Sequence, residues 1–291
     1  MTALHPSLTH PSQAEKAARF AALHRDGGCF VLPNAWDLPS AALIAEAGFP
    51  ALATTSSGIA FAGGLADGEK IGVERMFAVV SDIARRVPLP VTGDLESGYG
   101  PTPEHVAQAV RRAIDAGMVG ANIEDTDPAT RQLFDPDLSV ARIRAGVEAA
   151  RAAGLPDFVL NARTDPVLFN MGGPDAAFAE AARRAKAYFD AGAKSVFVPG
   201  LFDLDAITRM AAAIAPAPLN VMVSTGRPMP PLQDLRRAGL RRLTLGGSLM
   251  LATYGFTQRL LADLAKPDAT FGYAADGITH VAMTKLVEGY R

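Results

Sequence analysis

The segment Gly93-Asp94-Leu95-Glu96-Ser97-Gly98-Tyr99-Gly100 carries the sharpest chemical signal in the chain. Two carboxylates at i and i+2 share one face of an extended strand. At a strand's end both reach the same opening, and Gly98 and Gly100 permit a tight loop around them. Other polar groups stand at similar places: Asn34, Trp36 and Asp37; Ser56, Ser57 and Gly58; Glu124 and Asp125; Arg163 and Asp165. Carboxylates gathered on one face repel one another unless positive charge sits among them, and a divalent cation meets that need. Oxygen-only ligands favour Mg2+ or Mn2+ over zinc. Because Mg2+ keeps several waters, one carboxylate would bind it directly and the others would hold the waters. Strand-end acids also cap helices and pair with arginines, and for Asp125 and Asp165 that plainer role stands beside the chemical one.

What must position these groups is legible in a repeated punctuation. Ala-Gly occurs at 47–48, 116–117, 153–154, 191–192 and 238–239, each time just before an aliphatic run. Glycine past a helix end adopts the left-handed conformation that other residues resist, so each pair predicts a helix stop followed by a strand. The runs give eight strands: Cys29–Pro33, Ala51–Thr55, Val91–Asp94, Gly120–Glu124, Phe158–Arg163, Ser195–Pro199, Leu219–Val223 and Arg242–Leu245. Most are continuously apolar, as parallel strands covered on both faces are. Amphipathic stretches such as Glu104–Ala116, Ala176–Ala191 and Asp205–Ala215 alternate with them, with Thr102 and Asp203 placed as caps. Eight such units predict a single-domain α/β protein, a (β/α)8 TIM barrel spanning residues 1–291. An extra helix at Gln13–Arg25 precedes it, and a helical extension follows through Leu249–Ala265 to Ile278–Tyr290. The structural rival, an open doubly wound sheet, lacks its Gly-x-Gly-x-x-Gly fingerprint after the first strand.

Five motifs in order, each at its own strand end, resemble the isocitrate lyase and phosphoenolpyruvate mutase superfamily. They are Asn34-Ala35-Trp36-Asp37, Thr55-Ser56-Ser57-Gly58, Asp94-x-Glu96-x-Gly98-Tyr99-Gly100, Asn122-Ile123-Glu124-Asp125 and Asn161-Ala162-Arg163. The resemblance implies Asp94 as the direct Mg2+ ligand, with Asp67, Glu96 and Glu124 acting through its waters. It implies donors for a substrate carboxylate from Ser57 and Gly58, with Trp36 beside them, and an opposing charge from the guanidinium fork of Arg163. It further implies a small 2-oxo or 2-hydroxy carboxylate that passes through a pyruvate-like enolate. Catalytic roles fall on Arg163, Glu124 and Tyr99, although Tyr99 could equally be a packing residue of its loop.

The chain departs from that pattern in one stretch. Lyases of the superfamily carry Lys-Lys-Cys-Gly-His after the fourth strand, where this chain reads Asp125-Thr126-Asp127-Pro128-Ala129-Thr130-Arg131-Gln132. The lone Cys29 belongs to the first strand and is expected to be packed. Thr130 and Arg131 could close over a substrate or simply be exposed. Carbon–carbon cleavage of an oxaloacetate-like or 2-methylisocitrate-like acid is the reading preferred; carbon–phosphorus chemistry and a non-catalytic metabolite-binding barrel are the alternatives. Leu245-Gly246-Gly247-Ser248 also raises a phosphate-binding reading, since many barrels bind phosphate after the eighth strand.

Composition excludes other classes. With 28 basic against 30 acidic residues there is no basic excess for gripping nucleic acid. One cysteine permits no intrachain disulfide. Met1 to Ser12 lacks a secretion signal and no apolar run approaches the ~20 residues of a membrane span, so the expected compartment is the cytoplasm. The resemblance implies a homotetramer, with residues 270–291 as a tail that either contacts a neighbouring subunit or folds back.

Overall fold

All five Ala-Gly pairs end helices as expected. The alanines are the last half-turn, and Gly48, Gly117, Gly154, Gly192 and Gly239 have φ of +81°, +96°, +77°, +104° and +83°. The computed structural model describes residues 11–26 and 28–290. Residues 1–10, most of the segment read for a secretion signal, lie outside them.

Among the described residues, α1 (Gln13–Arg25) is followed by β1 (Phe30–Leu32), β2 (Asn34–Ala35) and α2 (Leu38–Glu46). Then come β3 (Leu52–Thr54), α3 (Ser56–Ala62), α4 (Val73–Arg86), β4 (Val91–Asp94), α5 (Pro103–Asp115) and β5 (Gly120–Glu124). The second half runs α6 (Pro136–Ala152), β6 (Val159–Arg163), α7 (Pro174–Asp190), β7 (Ser195–Phe197), α8 (Leu204–Ile214) and β8 (Leu219–Met222). It ends with α9 (Leu232–Arg237), β9 (Arg242–Thr244), α10 (Ser248–Leu264) and α11 (His280–Glu288). Asp203 caps α8 by accepting from Ala206 N at 3.0 Å.

Every strand pairing is parallel, in the order β1-β9-β8-β7-β6-β5-β4-β3-β2. Eight strands were expected, and the ninth has a simple cause. Pro33 has no N–H to give to a ladder; the first strand, expected over Cys29–Pro33, stops before it, and a second short strand starts just beyond it. Phe30–Leu32 pairs with β9, and Asn34–Ala35 pairs with β3. The two pieces together form the seam that closes the barrel. Asn34 bridges it, donating from Nδ2 to Thr54 O at 2.7 Å and accepting at Oδ1 from Leu245 N and Gly246 N at 3.1 and 2.9 Å.

The helices pack an aliphatic layer around the strands, and α1 closes the amino end, its Phe20 fully buried. The lumen itself is polar. Arg242 on β9 donates to Asn122 Oδ1 on β5 at 3.4 Å, a contact that must cross the interior because three strands separate the two. Asn161, Asn220, Thr92 and Arg242 are all inaccessible to solvent.

The C-terminal extension divides in two. α11 folds back onto α2 of its own barrel, burying Leu286 and Tyr290, and Arg86 Nε donates to Tyr290 O at 2.6 Å. This end of the expected subunit-contacting tail therefore covers its own chain. α10 differs: only Met250 is buried, while Leu249, Leu251, Tyr254, Phe256 and Leu261 are exposed. No helix among the described residues is long and apolar enough to cross a membrane.

The helix-stop glycines give a paired test. A Cβ at Gly154 would meet nothing within 4 Å, whereas one at Gly192 would lie 3.1 Å from Val147 Cγ1. Gly154→Ala should cost about 1 kcal/mol in urea unfolding, from backbone strain alone. Gly192→Ala should cost measurably more.

Candidate active site

Asp94 ends β4 at the carboxyl rim of the barrel, where its register partner is Asn122. Its Oδ2 accepts from Ser56 Oγ at 2.6 Å and from Ser56 N at 3.2 Å, so the first turn of α3 holds one oxygen in place. The other, Oδ1, is buried and has no partner. A buried carboxylate oxygen left bare is costly. The charge of Asp94 reaches Asp67, Glu96, Glu124 and Arg163, so the structure brings these separated residues to one place.

Glu96 and Asp67 resist ionising. Burial, then the charges of Asp94 and Asp67, push the Glu96 carboxyl up to about 8. Burial and Asp94 raise Asp67 as well. Asp67 and Glu96 thus lack nearby positive charge sufficient to offset burial, and Oδ1 of Asp94 lacks a donor. That is what an oxygen-rich site for a hard divalent cation requires, and the donor set fits Mg2+ or Mn2+. Among the described residues no three His, Cys, Asp or Glu side chains are arranged to enclose a metal by themselves. A cation here would rest on Asp94, with waters between it and the other acids.

The loop after β4 is built under backbone strain. Glu96 and Tyr99 have φ of +51° and +61°, where side chains are disfavoured, and Gly98 has +87°. Two residues that the sequence reading missed hold it. Arg142 of α6 is buried and donates to Gly100 O at 2.6 Å and to Ser97 O. Glu69 accepts at Oε1 from Ser97 Oγ (2.6 Å) and Tyr99 N (3.2 Å), while its own N–H donates to Glu96 Oε2 at 2.5 Å. Neither has a local signal: both lie far in sequence from what they hold. Tyr99 packs its ring on Phe77 of α4, centroids 5.9 Å apart, and its hydroxyl is buried without a partner. These contacts fit the packing alternative for Tyr99.

On β6, Arg163 donates from Nε to Asp165 Oδ1 at 2.7 Å, and its Nη1 forms an ion pair with Glu124 Oε2, also at 2.7 Å. Burial alone would lower its pKa, but Asp165, Glu124 and Asp94 outweigh it and keep the guanidinium charged. Burial, opposed by Arg163, raises Glu124 well above the usual carboxylate range. The free guanidinium fork expected from the sequence is therefore not present, and among the described residues Nη2 makes no hydrogen bond. Asp125 is structural, accepting from Thr164 Oγ1 and Tyr188 Oη at 2.7 Å and pairing with Arg184 at 3.3 Å. Asp37 caps α2 through Ser40 N at 2.7 Å.

Three further expectations are changed or narrowed. The N–H of Gly58 is taken by Thr55 Oγ1 at 3.2 Å, so it is not a free donor for substrate. Gly58 matters as space instead: a Cβ there would lie 2.5 Å from Thr55 Cγ2 and 3.1 Å from Trp36 Cβ. Ser57 is partly exposed, with its hydroxyl 3.1 Å from Thr55 Oγ1. Two of the amides in the Leu245–Ser248 stretch behind the phosphate reading, those of Leu245 and Gly246, are spent on Asn34. Residues 126–133 form a small self-tied hairpin with Thr130 and Arg131 exposed at its tip. Cys29 is buried, and burial pushes its thiol up to about 11, as packing predicts.

Glu96 sets a pH signature for metal-free protein. Its folded pKa of about 8 exceeds the ordinary 4.5, so the folded state holds a proton that the unfolded chain releases. Its contribution is full below pH 4.5 and is lost as pH rises towards 8. In EDTA, Glu96→Gln should therefore gain stability relative to the parent between pH 5 and 8 in urea titrations. Parallel pH profiles would contradict the burial of this acid.

The chain matches the phosphoenolpyruvate phosphomutase family over residues 20–265. It is 33% identical to 2-methylisocitrate lyase of Escherichia coli over 210 residues, 68% of this chain and 67% of that one. Its fold superposes on a Burkholderia cenocepacia J2315 protein described in general terms as a lyase/mutase (TM-score 0.86, 38% identity, 94% and 95% of the two chains). It superposes also on oxaloacetate acetylhydrolase in complex with the product oxalate (TM-score 0.84, 27% identity, 95% of each chain). With the barrel and its acidic mouth in place, the chain belongs to the phosphoenolpyruvate phosphomutase family, within the isocitrate lyase/PEP mutase superfamily of lyases and mutases.

Proposed function

We propose that this enzyme cleaves a carbon–carbon bond beside the carbonyl of a small 2-oxo or 2-hydroxy carboxylate, with Mg2+ (or Mn2+) as its cofactor. The observation that carries the reading is Asp94, whose buried Oδ1 has no partner at the centre of the acidic mouth. A cation held there would supply Lewis-acid stabilisation of the negative charge that develops as the substrate becomes enolate-like. Asp67, Glu96 and Glu124 would orient its waters. Nη2 of Arg163 and the hydroxyl of Ser57 would receive the substrate carboxylate, with Trp36 as the wall behind Gly58. Glu124 is the candidate proton carrier: Oε2 is fixed by Arg163, leaving Oε1 to hold or release a proton.

The short 126–133 hairpin offers no cysteine or histidine to protonate a leaving carbanion. That favours substrates needing least acid help, of the oxaloacetate kind, over a retro-aldol cleavage of 2-methylisocitrate. The likeness to oxaloacetate acetylhydrolase agrees with this order. Incubation with Mg2+ and oxaloacetate, 2-methylisocitrate, 2,3-dimethylmalate or phosphonopyruvate should yield pyruvate or oxalate from a carbon–carbon substrate. Asp94→Asn should reduce turnover about 10³-fold without unfolding the chain. Phosphate release from phosphonopyruvate alone would overturn the bond type. Binding without turnover across the panel would overturn the enzyme reading.

We also propose that α10 is covered by another copy of this chain in a homo-oligomer, a tetramer by family resemblance. Five large exposed apolar side chains on one helix support this, because a monomer rarely leaves so much apolar surface to water. Light scattering should give a mass that is a multiple of 30.5 kDa, and Phe256→Asp should lower it.

A further inference from the structure

At the amino ends of the strands, opposite the acidic mouth, lies a cavity of about 720 Å3, a size usual for small-molecule sites. Its walls come from the turns entering β7, β8 and β9, from the end of α1 and from α8. The floor is apolar, with Ala211, Ala212, Pro216 and Pro218. Around it stand Arg25, Lys194, Arg237 and Arg241, and among the described residues no carboxylate lines it. In a chain of net charge −2 this concentration of one sign is local.

The cations are not equivalent. Arg25, Lys194 and Arg237 each have an acidic partner outside the cavity: Asp26 at 2.8 Å, Asp157 at 3.3 Å and Asp234 at 2.9 Å. Arg241 is half-buried and, among the described residues, has no ion pair or side-chain hydrogen bond. His24, which also lines the cavity, supplies no counter-charge. Its Nδ1 must donate to Phe20 O at 2.9 Å, and its buried Nε2 is without a partner. A half-buried guanidinium facing an apolar floor lacks both an anion and the hydrocarbon that would dry the surface around it.

We propose that this cavity binds a small organic anion with an apolar body. The head group, a carboxylate or a phosphate, meets Arg241 and Lys194, and the hydrocarbon part lies on the alanines and prolines of the floor. The site is remote from the strand ends that carry Asp94 and Arg163, so its ligand is not the substrate. By joining α1, α8 and the entries to three strands it stabilises the folded barrel, increasingly as ligand concentration rises above Kd.

The test uses the full chain with four probes: hexanoate, hexyl phosphate, acetate and inorganic phosphate. Calorimetry and thermal melting should show saturable binding and a raised Tm with the two six-carbon probes, and at least about tenfold weaker binding of the two headgroup-only probes. Arg241→Gln should weaken the six-carbon probes about tenfold. Ala212→Leu, which fills the floor from an exposed helix position, should weaken them without changing charge. Both variants should melt like the parent when unliganded, and Asp94→Asn should bind the probes normally. Stronger binding of hexyl phosphate marks a phosphate ligand, and stronger binding of hexanoate marks a carboxylate; either supports the site. Absence of saturable binding, unchanged affinity in both cavity variants, or loss of binding in Asp94→Asn would overturn it.

Discussion

Placing several carboxyl groups in a half-dry pocket costs energy, and much of this structure responds to that cost. One oxygen of Asp94 is satisfied by Ser56, and the other is left bare. Glu96 and Asp67 are driven towards their neutral forms. Glu124 is offset by Arg163, which must also serve Asp165. Protein cations thus answer one side of the mouth and not the other. The asymmetry separates a place for a hard cation from a place for an organic anion within a few strand ends.

Keeping that arrangement requires backbone that would not hold itself. The loop after β4 takes positive φ at four of its residues, Glu96, Gly98, Tyr99 and Gly100, two of them with side chains. Arg142 from α6 and Glu69 from the α3–α4 connection clamp it from opposite sides in sequence. The charge of Arg142 is used on main-chain carbonyls and on the face of Phe134, 4.1 Å from the ring centroid. Its purpose is shape, and the acids depend on that shape for their position.

Much of this was readable from the chain alone. The Ala-Gly stops set the helix ends because φ is a local property, and the aliphatic runs set the strands because burial on both faces leaves a compositional mark. Asp94, Glu96, Glu124 and Arg163 were found because strand ends of a barrel converge. What escaped notice was non-local. That Leu245 and Gly246 have no amides to spare depends on Asn34, some two hundred positions away. The commitment of Gly58 to Thr55, the division of Arg163 between two acids and the clamps at Glu69 and Arg142 likewise exist only once the chain has folded. The second piece of the first strand was missed as well: the strand was expected to end at Pro33, and only the pairing of Asn34–Ala35 with β3 shows that it resumes.

That split has a consequence for how the molecule comes into being. From β2 to β9, each strand lies beside the next in the chain, so neighbours can join soon after both exist. Only the interrupted strand must also find β9, and Asn34 must wait for Gly246, 212 positions later. Closing so long a loop is entropically slow. A nascent chain on the ribosome would therefore carry an open, crescent-shaped sheet with its first edge waiting, and would complete the cylinder only as its final strand emerges.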